Sequence, residues 1–189
     1  MPSERPSAAA PICLVLGAVF GLVGSFAPTP SLRGIAWGLD GTLLVVAAAL
    51  LAVYCLRRRF ELMSAGFLVF IAGQTLVVSG SAMSLEASSP GFAAGAALWA
   101  AALILISIPP VMPTIGRVSG AIAAVLFAAT SLQVFSGRSL TPLSEPLPFL
   151  AYPVFVLTLL TWAWWCRKPR PDKGRPDEGR PDQAPRDAA

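Results

Sequence analysis

One carboxylate, Asp40, stands at the head of the apolar run "AWGLDGTLLVVAAALLAVYCLRRR", residues 36 to 59, which stops at three consecutive arginines. A charge inside hydrocarbon costs several kcal/mol, so ionisable groups found there mark binding groups or pathways. If Leu56 is the last residue in hydrocarbon, Asp40 lies sixteen residues away, about 24 Å along a helix. In a core of about 30 Å that is one turn or so from the far boundary. Two chemistries fit this depth. Asp40 is either an interfacial acid, wetted from outside beside Trp37 and paired with Arg33, or part of an intramembrane polar site. Gln74 supports the second reading. It lies fifteen residues after Arg59, about 22 Å from the same boundary, so a hairpin through "RRRFEL" sets Asp40 and Gln74 at nearly equal depth. A glutamine both donates and accepts and could hold the carboxylate across the helix interface. Thr75, Ser79, Ser81 and Ser84 carry polar character onward, as the lining of a vestibule would. Hydrogen bonding between helices, with no transport role, explains Gln74 and Thr75 equally well.

The elements that must position these groups follow from composition. The 189 residues are 55% hydrophobic and 13% charged, against about 25% charged in a soluble domain. The chain has 14 Lys+Arg and 10 Asp+Glu, and half of those charges lie beyond Cys166. What precedes is an apolar block too poor in charge to cover itself in water. Six spans of about the twenty residues a bilayer requires are read at Ala9–Ala27, Ile35–Leu56, Leu62–Leu85, Gly91–Met112, Val118–Phe135 and Leu147–Cys166. Helix breakers fill the connections "APTPS", "RRRFE", "EASSPG", "MPTIGR" and "SGRSLTPLSEP". Lipid offers no partner to backbone groups, so the spans must be helices. The expected fold is all-α: a six-span bundle over residues 1–166 and a disordered cytoplasmic tail over 167–189.

Orientation comes from Lys and Arg in the short connections. Arg5, Arg57, Arg58, Arg59, Arg117 and the tail fall on one side, against Arg33 and Arg138 on the other, so both termini are expected in the cytoplasm. Trp162, Trp164 and Trp165, just before Arg167, are expected to form an aromatic belt. Cys13, Cys55 and Cys166 then lie near the cytoplasmic face as small hydrophobes. The first thirty residues also have the layout of a signal peptide, but Pro28 follows the best cleavage point, Ala27. The tail repeats Arg-Pro-Asp at Arg170, Arg175 and Arg180 and has no large hydrophobe, so it cannot offset the entropy of ordering.

Glycines four apart (Gly17 and Gly21, Gly91 and Gly95, Gly116 and Gly120) suit close helix contact. Pro109, Pro110 and Pro113 should end the fourth span, and Pro153 should kink the sixth.

The absences limit function. There is no histidine, Walker motif, G-x-S-x-G or H-E-x-x-H, and no nucleophile beside a base. The sequence therefore reads as non-enzymatic, without cofactor or metal. The segments "WGLDGTLLVVAAALLAVY", "SAGFLVFIAGQTLVVSGSAM", "ALWAAALILIS" and "TPLSEPLPFLAYPVFVLTLLTWAW" resemble those of small six-helix bacterial inner-membrane proteins without an assigned activity, over about residues 10 to 166. The resemblance implies a fold and a location and no catalytic residue. Two function classes remain. One is a structural or partner-binding membrane protein, whose partner is lipid, another membrane protein or a second copy, and not nucleic acid. The other is a small-solute or proton-linked transporter with a polar site at Asp40, Gln74, Thr75 and Ser79. Low polar content inside the spans favours the first.

Overall fold

A computed structural model describes residues 6–145 and 147–168. The expected disordered tail lies, from residue 169 on, outside the described residues, as does Arg5. Six helices follow one another: α1 (Ala9–Phe26), α2 (Pro30–Arg57), α3 (Glu61–Ser79), α4 (Leu85–Ser107), α5 (Thr114–Phe135) and α6 (Tyr152–Arg167). A π-helical turn, Leu147–Ala151, leads directly into α6, and among the described residues there is no strand. All six spans are long and apolar enough to cross a bilayer, as a multi-pass membrane protein requires. The outward faces are aliphatic, with Val19, Val23, Val46, Val53, Val125 and Leu132 all exposed. Some hydroxyls turn inward and bond across helices, Ser64 donating to the Ala52 carbonyl at 2.9 Å and Ser131 to that of Ala93 at 2.7 Å. This inside-out pattern suits lipid as the solvent.

Each helix packs against the next, and α6 packs against both α5 and α1, closing the six into a ring. One end carries Arg57–Arg59 and is called the arginine end. The other, the distal end, carries the α1–α2, α3–α4 and α5–α6 connections. Phe67, Phe70, Trp99, Phe127, Phe155 and Trp162 fill the centre, with ring centroids 5.1–6.2 Å apart.

Several boundaries move from the sequence reading, each for a local reason. Helix α2 begins at Pro30, where Thr29 accepts the Leu32 N–H and the proline takes a first-turn position that needs no donor. Helix α4 begins at Leu85, so "EASSPG" is helix, not connection: the Ser84 hydroxyl accepts the Ala87 N–H, and Pro90 lies inside the helix in its second turn. Helix α3 ends correspondingly sooner, at Ser79. Arg117 sits in the first turn of α5, not before it, and donates to the Ser107 and Ile108 carbonyls at 2.8 and 3.1 Å, capping the end of α4. The hairpin turn after α2 closes with Arg59 at φ 62 and the Phe60 N–H on the Cys55 carbonyl at 2.9 Å, a Schellman arrangement that glycine usually serves.

The expected tryptophan belt is corrected. Trp162 and Trp165 are buried, the latter donating from Nε1 to the Val111 carbonyl at 3.1 Å, and only Trp164 faces out, under the Lys168 ammonium at 4.0 Å. Residues three apart share a helical face, so Trp162 and Trp165 must turn the same way. The kink expected at Pro153 takes the form of the π-helical turn that precedes it.

Candidate functional site

Helix α2 sends successive side chains to different neighbours, because each residue turns about 100° from the last. Gly41 faces α3, where a Cβ would meet Gln74 Nε2 at 3.2 Å. Asp40, one residue earlier, faces α1, where its carboxyl oxygens lie 3.4 and 3.5 Å from the position a Gly21 Cβ would occupy. The equal depth expected for Asp40 and Gln74 is therefore present, and the bond between them is not. Gln74 is 1% exposed, and its Oε1 has no hydrogen-bond partner. Thr75 and Ser79 are exposed and donate to their own helix, at the Ile71 and Leu76 carbonyls, 2.8 and 2.7 Å away. Ser84 caps α4. Of the expected vestibule residues only Ser81 joins Asp40.

What Asp40 faces is a cavity of about 60 Å³ in the distal half of the ring, room for roughly four waters. Trp37 and Asp40, three residues apart on α2, stand side by side in its wall. Helix α1 contributes Gly21 and Ser25, the α3–α4 turn Gly80 and Ser81, and the α5–α6 connection Pro142. Phe92 and Trp99 of α4 meet Tyr152 and Phe155 of α6 on the remaining sides, with Trp99 and Phe155 stacked at 5.4 Å. Trp99 is 4% exposed and its Nε1–H has no acceptor. Tyr152 stands where the π-helical turn passes into α6, and such turns often shape functional sites by re-aiming a side chain. The connection over this end is pinned by the Ser89 hydroxyl, which donates to the Leu140 carbonyl.

The electrostatics are one-sided. The cavity wall holds one carboxylate and no Lys or Arg. Arg33, expected as a partner, donates from Nη2 to the Ala27 carbonyl at 3.3 Å instead. Among the described residues no hydrogen bond or ion pair reaches the Asp40 carboxylate. Nor do three His, Cys, Asp or Glu side chains gather there as metal ligands would. Sequence reasoning missed Ser25, Ser88, Trp99 and Tyr152, which come from three helices, α1, α4 and α6, far apart in the chain. The one local signal was the "LPFLAYP" stretch, where two prolines flank the tyrosine.

The site can accept charge, hydrogen bonds and aromatic stacking. Comparison with family models, with curated proteins and with solved structures found no match to the chain.

Proposed function

We propose that this protein is a non-enzymatic six-span membrane protein of a bacterial inner membrane, its termini in the cytoplasm, that admits a small solute from the distal end and carries it. The observation that carries this reading is the Asp40 cavity, an ionisable group turned into a partly open space bordered by the distal connections. The aromatic residues at the centre of the ring close the path toward the arginine end, so the arrangement corresponds to one state of a carrier. The structural or partner-binding reading has no comparable feature to support it.

The test is thermal unfolding of the purified protein across a panel of small cationic, anionic and neutral solutes, with wild type and Asp40→Asn side by side. A ligand at about 100 times its Kd adds about 2.7 kcal/mol of stability, a shift of several degrees. At least one solute is expected to stabilise wild type and not Asp40→Asn. Responses identical in the two proteins, or absent from both, would contradict the reading.

A further inference from the structure

We propose that the cavity selects a small organic cation of the methylated-ammonium class, held between the Asp40 carboxylate and a wall rich in aromatic rings. The inference rests on the solute-binding reading and names its ligand. Two features of the wall point the same way. The first is charge: among the described residues Asp40 is the only formally charged side chain in the wall, and no hydrogen bond or ion pair reaches it. A carboxylate in surroundings of low dielectric attracts a positive partner far more strongly than it would in water. The nearest cation on its own helix, Arg33, is occupied at the Ala27 carbonyl. The distal connections and helix ends carry Glu86 and Glu145 against Arg33 and Arg138, so their formal charges cancel.

The second feature is the aromatic wall. Trp37, Phe92, Trp99, Tyr152 and Phe155 all line the space. Aromatic faces attract cations through the ring quadrupole, tryptophan most strongly, and suit quaternary ammonium groups that shed water easily. An alkali ion needs a shell of oxygen ligands, and the side-chain oxygens of the wall come from Asp40, three serines and one tyrosine. The volume suits the first kind of ion, since a methylated ammonium is about as large as a cluster of four waters.

Gly21 is part of this design. A side chain there would approach the Asp40 carboxyl carbon to 3.3 Å, so glycine keeps one side of the carboxylate free.

The experiment titrates the full-length protein in lipid nanodiscs with choline and with 3,3-dimethylbutan-1-ol, its uncharged carbon isostere. Sodium chloride holds ionic strength constant, and the readouts are tryptophan fluorescence and melting temperature. Choline is expected to give a saturable response at least tenfold tighter than the isostere. Asp40→Asn, which keeps side-chain shape, should weaken choline at least tenfold and leave the isostere unchanged. Trp37→Leu should weaken choline severalfold, with melting curves confirming that both variants fold. If choline and the isostere bind equally, cation selection is overturned while solute binding stands. If sodium chloride alone reproduces the response, an inorganic cation is the ligand and the proposal is likewise overturned. If tetramethylammonium and choline both fail while a neutral or anionic solute stabilises the protein, the cation class is wrong. If no solute acts at all, the binding reading fails with it.

Discussion

Asp40 and Gln74 look like partners along the sequence, and the structure separates them by direction and not by depth. Depth is legible because rise per residue is constant, so counting from Arg57–Arg59 places both groups. Direction is not, because 100° of rotation between Asp40 and Gly41 decides whether α1 or α3 is faced, and no local rule reveals which side of α2 lies toward α1. Gln74 is thereby left as a buried amide against Gly41 with one oxygen unpaired. An unsatisfied buried polar atom costs about 1–3 kcal/mol. Gln74→Leu is therefore expected to leave the melting temperature unchanged or raise it, and to leave every solute response intact. A lost response would return Gln74 to the site and show that its amide reaches the ligand.

At the scale of elements, the hydropathy pattern located all six helices, while several ends shifted and the α3–α4 break fell at 80–84, inside the expected third span. Two of the shifts share a cause: the caps Thr29 and Ser84 start α2 and α4 earlier than composition alone suggests. Small-residue spacing was legible as a contact signal, but its partner was not. Gly95 faces Gly73, a residue outside the four-spaced pairs, so closely that a Cβ on either would lie 2.8 Å from the other's carbonyl oxygen. Backbone oxygen cannot swing aside as a side chain can, so α3 and α4 must separate to admit a methyl group. Gly95→Ala is expected to destabilise the bundle by about 1–3 kcal/mol, read as a lowered melting temperature in detergent. A melting temperature equal to wild type would mean that the helices stand further apart than described. Gly91→Ala, whose nearest contact is 3.8 Å away, serves as the tolerant control.

At the scale of the whole molecule, what the sequence left hidden is closure. Five consecutive helix pairs are expected from short connections, but the sixth contact, α6 against α1, joins the two ends of the bundle and has no signal in spacing. Closure is what creates the cavity, since Tyr152 and Phe155 of α6 are brought opposite Asp40 and Gly21 only when the ring shuts. The tryptophans of α6 show the same logic: the ring draws Trp162 inward against Phe67 at 5.2 Å, where a belt at the lipid surface was expected. The central claim is that position 40 faces an aqueous cavity reached from the distal end. It is tested most directly in a variant with Cys13, Cys55 and Cys166 replaced and a single cysteine at position 40 or, as a lipid-facing control, at exposed Val46. Oriented vesicles are treated with a membrane-impermeant cationic thiol reagent from each side in turn. Asp40→Cys is expected to react from the distal side, at least tenfold faster than Val46→Cys. Reaction no faster than that of Val46→Cys, or reaction only from the arginine side, would contradict the claim.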